Sequence, residues 1–302
     1  MKVLIVCRKK LGKSPFITEQ VEALENKGIE IQYFFIQGNG GKAYINSYRL
    51  LKKEIALFKP DVIHAHYGLS GFFANWQRAV PVVTTYHGGD INYDKTRPFS
   101  KMAAVLSKYN IYVARKMATK AGAKKKFMIQ PCGIDLGVFQ PMEKQLAREK
   151  MKQEPDQTYI LFSSAFNNPI KNATLAKEAV NKAGKDIRLI ELKDYSREEV
   201  SLLLNACDVA LLTSFMEGSP QFIKEAMACN CPIVSTNVGS VEEIIDHTEG
   251  CYLTSFDPDD VSEKLKQAIA FGKRTNGHQK ISHLDNDIIA EKIISVYKSV
   301  LK

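Results

Sequence analysis

The alternation of short apolar runs with longer amphipathic stretches constrains this chain more than any other feature of its sequence. The apolar runs recur along almost the whole chain, and stretches of about ten to fifteen residues with helical periodicity separate most of them. This pattern is typical of repeated βα units around parallel sheets. We therefore expect an α/β protein with two doubly wound domains.

The predicted strands form two series. The first comprises Val3–Cys7, Glu30–Ile36, Val62–Ala65, Val82–Tyr86, Ile111–Ala114 and Lys126–Ile129, and the second comprises Tyr159–Ser163, Ile187–Glu191, Val209–Leu212, Pro232–Ser235 and Cys251–Leu253. The clearest helix is predicted at Thr18–Asn26, with Gly28 as its stop, and the last one at Ile288–Leu301.

The chain length suits two domains of about 150 residues each. We predict a first domain at 1–140, a linker at 141–157 that is rich in Lys, Glu and Gln, a second domain at 158–285 and a terminal helix at 286–302. Ligands of doubly wound sheets bind outside the carboxyl ends of the strands. We therefore expect the active site in a cleft between two facing domains.

Composition narrows the class of protein. Apolar residues make up 45% of the chain and charged residues 25%, which is typical of a globular protein. No apolar run approaches the ~20 residues of a membrane span, and no signal peptide is visible. The six cysteines lack zinc-ligand spacing, so we expect reduced, buried thiols and a cytoplasmic location.

The charge is unevenly distributed. Residues 1–140 contain 22 Lys and Arg against 9 Asp and Glu, whereas residues 141–302 contain 20 against 24. The basic half suits an anionic membrane surface, a phosphate-bearing substrate or nucleic acid, and solvated lysines on helix surfaces are the simpler alternative. Nucleic acid is disfavoured because the basic residues show no regular aromatic interleaving.

Two common phosphate-binding motifs are missing. The loop at 7–14 ends in Gly12-Lys13-Ser14 but has Cys7 where a Walker loop needs its first glycine. No GxGxxG follows a predicted strand, which disfavours a nicotinamide-dependent dehydrogenase.

Histidines follow two strands of the first series. His64 and His66 lie two residues apart on one face of a strand, but no third metal ligand joins them at a recognisable spacing. His87 precedes two glycines, which allow a ligand close to the backbone. We interpret His87 as a polar contact or proton handler, with a structural histidine as the alternative.

The most informative segment is 214–229, directly after the strand Val209–Leu212. Glu217 lies in the loop, Gly218 and Ser219 are expected to open a helix with Pro220 in its first turn, and Glu225 lies eight residues after Glu217. Carboxylates suit sugar and ribose hydroxyls, and exposed amides at a helix start suit hydroxyls or phosphate.

This segment resembles the Glu-x(7)-Glu signature of the retaining glycosyltransferases of family four, which have the GT-B fold of two Rossmann-like domains. Further segments that resemble the family are Asp61–His66, Val83–Asp90, Pro131–Phe139, Cys231–Val234 and Val238–Glu243, with Cys132 in place of a usual Asn. The resemblance covers nearly the whole chain. In place of the arginine that usually precedes the family lysine, the chain has Ala165 and Phe166.

The resemblance implies a role for each matching residue. Glu225 would bind the ribose, Glu217 with the Gly218 and Ser219 amides would hold the donor sugar, and Lys171 would bind the diphosphate. The implied catalytic residues are His87, Glu217 and Lys171, the implied donor-binding residues are Gly12, Lys171, Glu217, Gly218, Ser219, Pro220 and Glu225, and the implied acceptor-side residues are His66, His87 and Asp90.

The expected function is therefore retaining transfer of a sugar, of the hexosyltransferase type, from a nucleotide-sugar to an acceptor hydroxyl in cell-surface glycan or glycolipid synthesis. The alternatives are a noncatalytic sugar-nucleotide-binding module and a GT-B sugar-nucleotide epimerase. We expect no metal and no cofactor beyond the donor substrate, a glycan or lipid-linked acceptor, and peripheral contact with the inner face of an anionic membrane.

Overall fold

The computed structural model of the protein describes residues 1–9, 14–38, 40–124 and 126–302. Its contacts divide the chain into two compact units. The first unit combines residues 1–133 with the terminal segment 286–302, and the second consists of residues 134–285.

The described part of the first unit contains a parallel sheet with the order β2-β1-β3-β4-β5-β6. Its strands are β1 (Lys2–Arg8), β2 (Glu30–Ile36), β3 (Val62–His66), β4 (Val82–Tyr86), β5 (Tyr109–Tyr112) and β6 (Phe127–Ile129). The central strands β3 and β4 are buried along their whole length, which is typical of parallel strands covered on both faces.

The helices of the first unit follow the strands in chain order. They are α1 (Pro15–Asn26), α2 (Gly40–Phe58), α3 (Gly68–Ala74), α4 (Gly89–Asn92), α5 (Arg97–Leu106) and α6 (Arg115–Ala121). Pro15 begins α1, where its missing N–H costs nothing, and Gly28 follows the helix with a φ of +79°, which glycine adopts without strain.

The second unit contains a parallel sheet with the order β11-β10-β9-β7-β8. Its strands are β7 (Thr158–Phe162), β8 (Ile187–Glu191), β9 (Val209–Leu212), β10 (Ile233–Thr236) and β11 (Cys251–Thr254). Its helices are α7 (Lys144–Lys150), α8 (Ala173–Ala183), α9 (Arg197–Ala206), α10 (Gln221–Ala228), α11 (Val241–Ile245), α12 (Pro258–Phe271) and α13 (Gly277–Ile281), and short 3₁₀ turns lie at Pro169–Lys171 and Ser282–Leu284.

The last helix, α14 (Asn286–Val300), belongs to the first unit although it follows the second in the sequence. Its buried face contains Ile289, Ile293, Val296 and Tyr297, and it packs against α1. The apolar spacing of this helix predicted a docked surface, but only the tertiary structure identifies the unit to which it docks.

Several boundaries differ from the sequence expectations. Strand β5 lies two residues earlier than predicted, because its pairing with β4 aligns Tyr109 with Val83, while Val113 and Ala114 are buried beyond the strand. The division between the units follows Gly133 instead of residue 140. Helix α10 begins at Gln221, with Pro220 as the preceding cap residue, so Gly218 and Ser219 lie in the loop.

The expected linker at 141–157 is part of the second unit and contains a helix. The carboxylate of Glu143 caps α7 by accepting a hydrogen bond from the Leu146 amide at 2.6 Å. Buried Arg148 then donates to Asp208 at 2.9 Å, and Lys144 pairs with the same carboxylate. These ion pairs attach the helix to the unit, which the linker-like composition did not indicate.

Candidate functional site

The carboxyl ends of β3 and β4 bring three histidines together in the first unit. The rings of His64 and His66 stack with their centroids 4.5 Å apart, and the rings of His66 and His87 are 5.2 Å apart and nearly parallel. Because side chains two residues apart share a face of a strand, neighbouring β3 and β4 align these rings as a row. The row continues from the sheet interior to partly exposed His87.

Hydrogen bonds occupy ring nitrogens along this row. His64 contacts the Tyr297 hydroxyl through Nδ1 at 2.6 Å and the Thr85 hydroxyl through Nε2 at 2.7 Å. His66 Nδ1 lies 2.9 Å from His87 Nε2, and His87 Nδ1 lies 3.6 Å from the Cys132 sulfur. Tyr297 belongs to α14, so the terminal helix contributes directly to this cluster.

Burial sets the charge of the two inner histidines. Desolvation lowers the pKa of His66 to about 3, and it lowers the pKa of His64 well below the ordinary value, with further lowering from the neighbouring histidines. Both rings are therefore neutral near pH 7.

Asp90 joins the two loops that follow β3 and β4. Its carboxylate accepts backbone hydrogen bonds from Gly68 at 3.0 Å and Gly88 at 2.9 Å, with a longer one from His87 at 3.4 Å. Burial raises the pKa of Asp90 to about 6, although these amides favour the ionised form. The geometry makes Asp90 a support of the loop backbone beside His87.

In the second unit, Lys171 and Glu217 form a partly buried ion pair. The Lys171 ammonium lies 2.7 Å from Glu217 Oε1, and the Ser214 hydroxyl donates to the same oxygen at 2.7 Å. The pair assembles because the 3₁₀ turn that ends at Lys171 is attached to the end of β9. The Thr213 hydroxyl donates to the Lys171 and Asn172 carbonyls, both at 2.9 Å.

The turn after β10 supports the loop that contains Glu217. The Ser240 amide donates to the Gly218 carbonyl at 3.0 Å. Gly239 has a φ of +58°, and a Cβ at this position would lie 2.3 Å from the Gly218 carbonyl oxygen. Such a distance is far inside van der Waals contact, so the close approach of the two loops requires glycine.

Glu225 lies on α10, and its side chain is only 6% exposed. Arg197, the first residue of α9, forms an ion pair with its carboxylate, and the same guanidinium lies over the Phe139 ring at 4.5 Å from the centroid. Sequence reasoning missed Arg197. The sequence feature that could have indicated Arg197 is a cation at the start of the helix that follows β8.

The structure therefore groups the sequence-predicted residues within two separate clusters. His66, His87 and Asp90 lie together in the first unit, whereas Lys171, Glu217 and Gly218 lie together in the second. Gly12 lies outside the described residues. The unpredicted contributors are Arg197, Ser214, Tyr297 and the Cys132 thiol.

Within the described residues, no group of three or more His, Cys, Asp or Glu side chains is arranged to hold a metal ion. In the same part of the chain, no helix combines the length and apolar character needed to cross a bilayer.

The second cluster has the chemistry of a site for a polyhydroxylated, anionic ligand. The Glu217 carboxylate can accept hydrogen bonds from hydroxyl groups, and the Lys171 ammonium beside it can attract phosphate oxygens. The first cluster offers neutral imidazoles and backbone groups of a glycine-containing loop.

Two family models match the chain. Residues 2–138 match the one described as Glycosyltransferase Family 4, and residues 177–277 match the one described as Glycosyl transferases group 1.

Similar proteins include several glycosyltransferases. An uncharacterized glycosyltransferase of Methanocaldococcus jannaschii is 26% identical over 74% of this chain and 70% of its own length. The D-inositol 3-phosphate glycosyltransferase of Mycobacterium marinum is 24% identical over 66% of this chain, and the match spans 53% of that relative. The chain thus spans about half of the length of this second relative.

Solved structures with the same fold cover nearly the whole chain. Sucrose-phosphate synthase from Thermosynechococcus elongatus has a TM-score of 0.86 at 15% identity, with 99% of each chain covered. HepE from Anabaena in complex with UDP-glucose has a TM-score of 0.72 at 17% identity, with 99% of this chain and 100% of that one covered. The neighbours are GT-B proteins, so the expected fold class is confirmed.

Proposed function

Because the chain belongs to the glycosyltransferases of family four, we propose that it transfers a sugar from a nucleotide-sugar donor to an acceptor hydroxyl, with retention of anomeric configuration. The observation that carries this proposal is a set of two ion pairs in the second unit, Lys171 with Glu217 and Arg197 with Glu225. UDP-glucose in the structurally similar HepE supports a donor of this kind.

Each side chain of these two ion pairs has a proposed task. Glu225 accepts hydrogen bonds from the ribose hydroxyls, and Glu217 accepts them from the donor sugar. Lys171 binds the diphosphate, and its ion pair with Glu217 holds both side chains in place before the donor arrives. Arg197 compensates the buried charge of Glu225.

We propose a front-face transfer. The bond between the anomeric carbon and the diphosphate oxygen breaks, and the acceptor oxygen bonds to the same face of that carbon. The acceptor proton passes to the departing diphosphate, whose new negative charge the Lys171 ammonium stabilises. Double displacement would instead need a carboxylate at the anomeric carbon.

The test of the donor site is a calorimetric titration with UDP, GDP, ADP and their common sugar conjugates. We expect one nucleotide family to bind, and we expect Glu225→Ala and Lys171→Ala to lose most of this affinity. Lys182→Ala is a matched control, because Lys182 also forms an ion pair in the second unit but is exposed in the last turn of α8. Absence of binding by all nucleotides would contradict the proposal.

Product analysis tests the transfer itself. A transferase consumes the donor only when an acceptor hydroxyl is present, apart from slow hydrolysis, and the product retains the anomeric configuration. Release of an epimerised sugar-nucleotide without an acceptor would contradict transfer, and binding without turnover would indicate a sugar-nucleotide-binding module.

We further propose peripheral contact between the first unit and an anionic membrane, which would suit a lipid-linked acceptor in cell-surface glycan or glycolipid synthesis. The contact surface is the exposed apolar ridge of α5, which presents Phe99, Met102 and Val105, the last 84% exposed. Lysines at 95, 101 and 108 flank this ridge and are exposed. Apolar side chains with flanking cations are the composition of helices that lie in the bilayer interface.

Vesicle co-sedimentation tests this contact. We expect salt-sensitive binding to vesicles with anionic lipid, and we expect Met102→Ser with Val105→Ser to weaken it. The matched control is Ile45→Ser with Leu57→Ser, because these α2 side chains are 65% and 69% exposed but lie outside the ridge. Equal loss in both double variants would contradict the ridge as the contact.

A further inference from the structure

We infer that His66 is a positioning residue that holds His87 as a neutral imidazole with its proton on Nδ1. The role of this arrangement in catalysis rests on the proposed function. The hydrogen bond between the two histidines is a property of the free protein and does not.

A neutral histidine carries one proton on one of its two ring nitrogens. His66 is 0% exposed, its Nδ1 faces His87 Nε2 at 2.9 Å, and its Nε2 has no hydrogen-bond partner in the described part of the chain. A proton on Nε2 would therefore be a buried donor without an acceptor, and buried N–H groups are left unpaired more rarely than buried acceptors. The proton belongs on Nδ1, where it is donated to His87.

This assignment fixes the state of His87. Its Nε2 accepts the hydrogen bond from His66, so the single proton of the neutral ring lies on Nδ1, the nitrogen that faces the Cys132 sulfur at 3.6 Å. Protonation of Nε2 would place two N–H groups against each other, since His66 offers a donor there. The inner histidine thus opposes protonation of the outer one.

Aromatic neighbours fix the plane of the same ring. Phe16 lies 5.0 Å from the His87 ring centroid and Tyr67 lies 4.7 Å from it. Among the described residues, the titratable groups near His87 include His66 and His64 on β3, Tyr67 after that strand, Cys132 after β6, and Asp90 on α4, whose carboxylate accepts from the His87 amide. The ring is therefore held in both orientation and protonation state.

The inference changes the proposed chemistry of His87. A ring whose Nε2 lone pair is already used is not a general base at that nitrogen, so His87 would act as a fixed polar contact for the sugar. The acceptor proton then has to leave by another route, and the departing diphosphate of the front-face transfer supplies one.

The test uses two amide variants that place the same donor at different positions. In His66→Asn the amide nitrogen is two bonds from Cβ, as Nδ1 is, and it can donate to His87. In His66→Gln it lies one atom further out, in the position of Nε2, and cannot make the same contact. The His66→Leu variant removes the donor altogether, and thermal unfolding checks that each variant is folded.

The first readout is the ¹⁵N NMR spectrum of the histidine rings of the free protein, with a His87→Ala variant to assign the signals. We expect wild type and His66→Asn to keep a bare Nε2 on His87 from pH 8 to pH 6. We expect His66→Gln and His66→Leu to let His87 titrate near its ordinary pKa of about 6.5. A wild-type His87 with its proton on Nε2 would overturn the inference.

The second readout is the pH profile of transfer. We expect kcat in His66→Gln to fall about tenfold, and further below pH 6.5, while His66→Asn stays close to wild type. Equal effects of the two amides on the spectra and on kcat would overturn the positioning role. If the spectra match the expectation but no transfer is found, the arrangement stands and the proposed function fails.

Discussion

At the scale of single residues, the charge of Glu225 is the feature that most needs explanation. Its carboxylate is almost fully buried, and an uncompensated buried charge costs several kcal/mol. Arg197 supplies the opposite charge from another helix, and Phe139 supports the guanidinium from below. A ligand that binds Glu225 therefore meets a carboxylate that Arg197 already holds in place.

We predict that Arg197→Gln weakens nucleotide binding by about tenfold or more, because Glu225 is left without its counter-charge. Arg197→Lys should have a smaller effect, since it keeps the charge but loses the planar contact with Phe139. Isothermal titration calorimetry with the nucleotide found in the donor screen measures the affinity of both variants.

Arg188→Gln is the control for charge removal in the same unit. Arg188 pairs with Glu154 at the surface, where both side chains are more than half exposed, and such pairs contribute little. Similar losses of affinity in the Arg188 and Arg197 variants would contradict the role of Arg197.

At the scale of elements, the loop before α10 depends on contact with the loop after β10. Gly239 permits this contact, since any side chain at its Cβ position would meet the Gly218 backbone. The ion pair of Lys171 with Glu217 depends in turn on the position of that loop.

We predict that Gly239→Ala lowers nucleotide affinity or turnover by at least tenfold, because the Gly218 loop has to move. Gly122→Ala is the matched control. Gly122 has a similar positive φ of +71°, but no atom lies within 4 Å of its Cβ position, so only the backbone strain is shared.

Activity and thermal unfolding measured together separate the two effects. We expect Gly122→Ala to lose stability on the order of 1 kcal/mol, and Gly239→Ala to lose at least as much, because its Cβ also meets the Gly218 backbone. Only Gly239→Ala should lose activity. Loss of activity in both variants would contradict the prediction, because backbone strain alone would then explain the loss.

At the scale of the whole molecule, the buried histidines should determine how the protein responds to acid. The pKa of His66 is about 3 in the folded protein and 6.5 in its ordinary environment, and His64 shifts in the same direction. Only the unfolded state takes up these protons below pH 6.5. The free energy of unfolding should therefore be fully retained above pH 6.5 and decrease as the pH falls below it.

Asp90 has the opposite effect on the free energy of unfolding in acid. Its pKa is raised to about 6, so the folded state holds an extra proton between about pH 4 and pH 6, and this contribution grows as the pH falls. The two buried histidines outnumber this single carboxyl, and the net prediction is loss of stability in acid.

Urea unfolding at pH 7.5 and pH 5.0 tests this prediction. The chain has a single tryptophan, Trp76, which lies in the first unit with the histidines, so its fluorescence follows the relevant transition. Each histidine should contribute about 1.4 kcal/mol per pH unit below pH 6.5, and His66→Asn should remove one such contribution. An unchanged pH slope in that variant would contradict the prediction.

The sequence determined the α/β class, the positions of most strands, and several residues of the two clusters. Periodicity and turn chemistry act over a few residues, so they can be read directly from the chain. The predicted strands β2, β4, β8 and β9 have the same bounds in the structure. Glu217 and Glu225 stood out because their spacing after a strand is itself a local pattern.

Only the tertiary structure decided which distant residues meet. Helix α14 packs in the first unit, where Tyr297 contacts His64. In the second unit, Asp208 binds the segment at 141–157, and Arg197 pairs with Glu225. These contacts join residues far apart in the chain, and their partners depend on sheet order and register. Local propensity contains no information on either.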